Sequence, residues 1–351
     1  MASDEIWILG ATGRSGRAVA RRLAEAGLTP VLVGRDPERL TALGTRGRTV
    51  VAPTVAAMAV EVRRQQPGVV LNTVGPFTAT AGIVADAGLP GSHYLDLAND
   101  VVSASQLLGR HDAAVAAGRT LVTGAGFGVV ATQSVVAMLV RDRATPVRVR
   151  VDGVPSVATE EGPIGDALAA TLVDGLPAGG LRFTGGRLAR DRVGGDRRSL
   201  TLPDGTTVTT ASVPLGELVA AWRVSGAPDV VAASSGVPSG IAARAVLPVA
   251  GTLLAARPLR DLVRRRVARA SMPARPRPRE HSYAHAEVEW ADGTRREGWL
   301  RMGDASDFTT AVAVEVTLRL LRGEAPPGAY TPAEAFGPEL AAAAGGEFLL
   351  D

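Results

Sequence analysis

The chain of 351 residues contains no cysteine and no lysine; all 38 of its basic side chains are arginine. Without cysteine there is no disulfide, no zinc–thiolate cluster and no thiol nucleophile. Without lysine there is no side-chain Schiff base and no lysine acid or base. Aromatic residues make up 4% of the chain, too few for a base-stacking platform of the kind that holds single-stranded nucleic acid. The formal net charge is only +3, so the pI of about 10.0 reflects the high pKa of arginine, and no nucleic-acid partner is expected. Histidine is scarce: His93, His111, His281 and His285. The last two share a strand face with only Glu287 nearby as a third ligand, so no metal site is expected. The opening residues MASDEIWILG lack a basic n-region, which makes the cytoplasm the expected compartment.

What is present is aliphatic. Hydrophobic residues reach 46%, enough for two domains with a generous core. The stretch IWILGATGRSGRAVARRLAEAGLTPVLVGRD, Ile6 to Asp36, is the most informative. Ile6–Leu9 reads as a strand buried on both faces. After Gly16, Val19, Leu23 and Ala26 recur on one helical face, and Gly27 follows as a C-cap. Gly10, Gly13 and Gly16 therefore occupy a strand-to-helix turn with the spacing G-x-x-G-x-x-G, a variant of the dinucleotide fingerprint. Such a turn lets the main chain approach a pyrophosphate, and the amides of Ala11, Thr12, Gly13, Arg14, Ser15 and Gly16 are expected to face it. The next strand ends on Gly34-Arg35-Asp36 rather than on an acid alone. Arg35, helped by Arg14, suits a 2′-phosphate, which favours NADP(H) over NAD(H). Asp36 adjoins the adenosine end and also suits the N-cap of the following helix, with Pro37 in its first turn.

Strand-like runs at Ile6–Leu9, Val31–Val33, Thr49–Val51, Val69–Thr73, Tyr94–Leu97 and Thr120–Val122 alternate with helical patterns. This alternation predicts an α/β domain over residues 1–128, a Rossmann-type doubly wound parallel sheet of about six strands. After Gly128 the texture changes. A helix is expected over Val129–Arg141, then VRVRVDGV alternates at period two, as a half-buried strand does. SLTLPDGTTVTT and SYAHAEVEWADGTRREGWLRM read as hairpins, turning at Asp204-Gly205 and Asp292-Gly293. Residues 129–306 are thus expected to form an α+β substrate domain with a mostly antiparallel sheet. Within it, Ser239–Ala270 holds an apolar segment interrupted by Arg244 and Pro248, too broken for a confident membrane span. An arginine-rich helix over 257–269 follows, a solvated face or a contact for a peripheral membrane or an acidic acyl carrier protein.

Five short stretches together resemble the saccharopine dehydrogenase-like NAD(P)-binding reductases, in particular the bacterial group that includes trans-acting enoyl reductases. They are GATGRSG (Gly10–Gly16), LNTVGPF (Leu71–Phe77), GSHYLDLAND (Gly91–Asp100), GAGFGVV (Gly124–Val130) and GAYTPAEAFG (Gly328–Gly337). The resemblance implies an N-terminal nucleotide domain and a middle substrate and homodimer domain. It also implies a C-terminal helix, within 307–351, that returns to the nucleotide domain. Two positions depart from the family's pattern: Leu97-Ala98-Asn99-Asp100 replaces its Thr-Gly step, and Gly128 stands where Asp is common. The lack of lysine separates the chain from the saccharopine-forming enzymes.

Hydride transfer asks the protein mainly to place the nicotinamide and then to supply a proton. Thr73, Val74, Gly75 and Pro76 close the fourth strand and are expected along the ribose and nicotinamide, with Phe127 flanking the ring. Tyr94, Asp96 and Asp100, on and beyond the fifth strand, are the candidate catalytic residues. A serine hydrolase is disfavoured, because Ser15 lies in a turn that glycine spacing already explains. The expected function is NADPH-dependent reduction of a C=C or C=N bond in an apolar, small-molecule or carrier-bound acyl or imine substrate. The alternative is an NADP(H)-binding redox sensor without catalysis.

Overall fold

The computed structural model describes residues 4–44, 47–159, 161–165, 169, 173, 179–236, 253–254 and 256–350. The chain separates into two compact units, Met1–Val130 with Ser306–Gly345, and Ala131–Ala305 with Gly346–Asp351.

In the first unit, β1 (Ile6–Leu9), β2 (Val31–Gly34), β3 (Thr49–Val51), β4 (Val69–Asn72), β5 (His93–Asp96) and β6 (Thr120–Val122) alternate with helices. These are α1 (Arg14–Glu25), α2 (Pro37–Thr41), α3 (Val55–Gln65), α4 (Phe77–Gly88), α5 (Val101–Leu108) and α6 (His111–Ala117), with α7 (Phe127–Val140) after β6. A seventh strand, Gly328–Tyr330, pairs with β6, so the sheet runs Gly328–Tyr330, β6, β5, β4, β1, β2, β3. Every pairing in it is parallel. The fold is therefore α/β, as expected, with one strand more than the sequence suggested. The strand order reverses between β1 and β4, and in such sheets the crevice at the strands' carboxyl ends is where ligands bind.

Local chemistry explains the elements. β1 is buried along its whole length, Trp7 and Leu9 on one side and Ile6 and Ile8 on the other, which is why it shows no alternation. α1 buries Val19, Ala20 and Leu23 and ends before Gly27, whose φ of +79° closes the turn. Between Val101 and Ala117 the chain forms two helices, α5 and α6. Arg110 sits at φ −92°, ψ 9° between them, its guanidinium paired with Asp86 of α4 at 2.6 Å.

The second unit holds a mixed sheet. Its main path is Arg187–Asp191, Gly180–Thr184, Asp229–Ser234, β7 (Arg148–Val154), Ser282–Glu289, Arg295–Met302 and Glu347–Leu350. Among the described residues, only β7 with Asp229–Ser234 is parallel in it. Both expected hairpins are present, Arg198–Thr201 with Thr207–Ser212 and Ser282–Glu289 with Arg295–Met302, their turns carrying Gly205 at φ +82° and Gly293 at φ +81°. One expectation fails: β7 is buried on both faces, not one. Its polar face is covered because Asp152 takes hydrogen bonds from Arg150 (2.8 Å) and Thr210 (2.6 Å) and meets His285 Nδ1 at 3.2 Å. Burial pushes the Asp152 carboxyl up, but His285, Arg150 and Thr210 outweigh it and hold it at about 2.

The arginine-rich segment is a helix, Arg257–Arg269, with Leu259 and Leu262 exposed. The apolar segment before it, as far as residue 252, lies outside the described residues. No helix among the described residues is long and apolar enough to cross a membrane.

Candidate functional site

The glycine turn joins β1 to α1 at the point of strand-order reversal. Gly10 has φ +79°, and a Cβ there would lie 2.7 Å from Thr73 Oγ1 and 3.0 Å from Val74 Cγ2. Glycine thus lets the loop after β4 close onto the turn. A Cβ on Gly16 would sit on the Gly10 carbonyl oxygen and 2.9 Å from the Ala11 Cα, so α1 can start this close to the turn only with glycine there.

Three of the turn's amides are spent on the protein itself. Gly10 and Ala11 both donate to the Val33 carbonyl, at 3.0 and 3.1 Å, and Gly13 donates to Gly10 at 2.9 Å. This corrects the expectation that the amides from Ala11 onward all face a ligand: Ala11 is fully buried and Gly13's amide is internal. Among the described residues, the amides of Thr12, Arg14, Ser15 and Gly16 have no partner within the protein. Gly13, the N-cap of α1, provides no side-chain cap, and the first turn carries no acid. Four converging donors and the positive end of a twelve-residue helix remain for an anion.

Arg14 and Arg35 are exposed and, among the described residues, in no ion pair. Arg35 follows the end of β2 directly. Asp36 is the N-cap of α2, accepting from the amides of Glu38 (2.9 Å) and Arg39 (3.1 Å). Its Oδ1 thus serves the helix start.

The loop Thr73–Pro76 is half-buried. Thr73 is fixed by two bonds to the Leu9 carbonyl, from its amide at 3.0 Å and its hydroxyl at 2.7 Å. The Val74 amide donates to Asn72 Oδ1 (3.0 Å), and the Val74 carbonyl accepts from Thr80 Oγ1 (2.6 Å). The Gly75–Pro76 peptide is cis. Phe127 begins α7 half-buried, its amide held by Thr309 Oγ1 at 3.0 Å.

The candidate proton donors have other duties. Tyr94 is 1% exposed and Asp96 0% exposed, so neither meets a ligand in this arrangement. Tyr94 Oη accepts from Asn72 Nδ2 (3.1 Å) and donates to Asp96 Oδ2 (3.0 Å). Asp96 Oδ1 accepts from the amides of Ala98 (3.0 Å) and Gly124 (3.2 Å) and from Thr123 Oγ1 (2.9 Å). Burial lifts the Asp96 carboxyl to about 6, against the pull of those donors toward the ionised form. Burial, then the Asp96 charge, holds Tyr94 well above the usual phenol range. Asp100 is the N-cap of α5, accepting from the Ser103 amide (2.8 Å) and hydroxyl (2.6 Å). Each of the three thus holds neighbouring groups of the fold in place in this structure. Sequence reasoning missed Asn72, Thr80 and Thr123 as their partners; the one local sign was an asparagine ending an otherwise apolar strand.

In the second unit, His285 is buried between Asp152 and Glu297, and Glu287 pairs with Arg198 at 2.8 Å. These contacts are hydrogen bonds of His285 and a separate ion pair, and no group suited to a metal occurs among the described residues.

No family model matches the chain. A stretch of 87 residues, 25% of this chain, is 37% identical to sulfoacetaldehyde reductase 2 of Chromohalobacter salexigens. That stretch spans 34%, about a third, of the reductase's length. Among solved structures, apo saccharopine dehydrogenase (L-Glu forming) from Saccharomyces cerevisiae superposes with a TM-score of 0.60 over 97% of this chain and 96% of its own, at 11% identity. The chain therefore has a saccharopine dehydrogenase-like fold.

Proposed function

We propose that the protein is an NADP(H)-dependent oxidoreductase that reduces a C=C or C=N bond of an apolar substrate. One observation carries the reading: the free amides of Thr12, Arg14, Ser15 and Gly16 converge at the uncapped start of α1, one strand away from the unpaired Arg35. The amides suit the pyrophosphate and Arg35 the 2′-phosphate. Thr73–Pro76 and Phe127 would border the nicotinamide, which supplies the hydride when bound. The protein's share is to orient the ring, exclude water and bring a proton to the reduced atom. The fold and the short match to a reductase support the class of chemistry.

The substrate is read as a small-molecule or carrier-bound acyl or imine compound. The exposed Leu259 and Leu262, among the arginines of Arg257–Arg269, would receive an acidic acyl carrier protein or an anionic membrane surface. A cytoplasmic homodimer completes the reading. NADPH oxidation against enoyl thioesters, imines and carbonyls tests it. Turnover with one class supports the reductase, whereas tight NADPH binding without turnover by any class rejects it.

A second reading is a redox sensor that binds NADP(H) without catalysis. It is favoured by one observation: Tyr94, Asp96 and Asp100 are all engaged within the protein. Binding of NADPH and NADP⁺ with different affinities, together with no turnover, would select it.

A further inference from the structure

The crest of the sheet carries a chain of hydrogen bonds whose direction is fixed at both ends. At one end the Val74 amide can only donate, so Asn72 must present Oδ1 to it and Nδ2 to Tyr94. Tyr94 Oη accepts that proton and therefore sends its own to Asp96 Oδ2. At the other end the Ala98 and Gly124 amides can only donate, so Asp96 Oδ1 must accept. Thr80 closes the loop by donating to the Val74 carbonyl and taking a long, 3.4 Å bond from Asn72 Nδ2. One buried carboxylate is thus the final acceptor of a relay that starts on the loop after β4, while its other oxygen pins the loop after β6.

We infer that Asp96 is a positioning residue whose protonation state sets the geometry of the Val74 loop, and through it the affinity for the pyridine nucleotide. This rests on the nucleotide reading above. A proton on Oδ2 turns its bond to Tyr94 round. Tyr94 then faces two donors and has nowhere to send its own proton. Relief requires the Asn72 amide to flip, which sets Nδ2 against the Val74 N–H, donor against donor. The loop thereby loses its anchor at the Val74 amide, while Thr73 stays bonded to the Leu9 carbonyl.

Tyr94 is the titratable side chain bonded to Asp96 among the described residues, and burial and the Asp96 charge hold it well above the usual phenol range. The strand of Asp96 itself brings Tyr94; β4 brings Asn72, α4 brings Thr80, and the loop after β6 brings Thr123 and Gly124. The cation that acts on Tyr94 is Arg110, which is paired with Asp86. Burial places the transition near pH 6, inside the range a cell can reach.

The test has two independent arms. In the nucleotide-free protein, the Val74 amide resonance should shift in one step centred near pH 6 in the wild type. It should show no step in Asp96→Asn, which keeps a donor at the Oδ2 position, or in Tyr94→Phe, which cuts the relay. A flat wild-type titration overturns the inference whatever the protein binds. In the second arm, affinity for both NAD⁺ and NADP⁺ should fall about tenfold between pH 7.5 and pH 5, with the step lost in Tyr94→Phe; NAD⁺ lacks the 2′-phosphate, whose own ionisation would otherwise confuse the result. A shifting Val74 resonance with no nucleotide binding at any pH would reject the nucleotide reading and leave the relay standing. Binding that is tight and independent of pH would reject the coupling.

Discussion

The amide of Ala11 lies 3.1 Å from the carbonyl of Val33, so the glycine turn is tied to the strand that Arg35 follows. That tie sets the separation between the amides proposed to bind the pyrophosphate and the arginine proposed to read the 2′-phosphate. Replacing Arg35 with alanine should raise the KM for NADPH about tenfold to a hundredfold, the worth of one charge-assisted hydrogen bond, with KM for NADH nearly unchanged. Steady-state kinetics with both cofactors check this; an equal loss with each would move the specificity element elsewhere.

Gly16→Ala places a methyl on the Gly10 carbonyl and against Ala11, with no flexible neighbour to yield. The expected cost is about 1–3 kcal/mol of stability, together with loss of nucleotide binding. Thermal unfolding and calorimetric titration measure the two effects separately.

Asp36→Ala discriminates a helix cap from a ribose ligand. The carboxylate holds two amides of α2, so the variant should lose about 1 kcal/mol of stability and keep its nucleotide affinity. A large rise in Kd without loss of stability would return Asp36 to the site.

The buried pair in the second unit predicts an acid response. The Asp152 carboxyl is held at about 2, below its ordinary value of 3.8, so it contributes stability above pH 4 that is lost as pH falls through about 2. The contribution is about 2 kcal/mol. Asp152→Asn should remove that pH-dependent component and destabilise the fold by about 3–5 kcal/mol, because Arg150 keeps its charge in a buried setting. Chemical denaturation between pH 2 and 7 would show both.

Much of the architecture could be read locally. The glycine turn, the two Asp-Gly hairpins and the Asp36 cap each rest on backbone conformations or short-range bonds that a few residues dictate. The seventh strand could not be read this way. Gly328–Tyr330 is three residues long and gains its place only by pairing with Thr120–Val122, so its signal lies far away in the chain. The same limit governed the site. Tyr94 and Asp96 carry the chemistry of a proton donor in their side chains, and only tertiary packing encloses them with Asn72 and Thr123. Arg150 and Asp152 alternate along β7 as surface residues would, until the hairpin Thr207–Ser212 brings Thr210 over them.

The late strand has a consequence for how the protein is made. A ribosome releases β6 with a bare edge and must translate some two hundred more residues, including most of the other unit, before Gly328–Tyr330 can cover it. Synthesis order and assembly order therefore part company: the first unit is begun first, yet its sheet stays incomplete until most of the second has been translated. A nascent chain stalled anywhere in that interval displays an open row of amides and carbonyls on β6, the point at which chaperone capture or misassociation should concentrate.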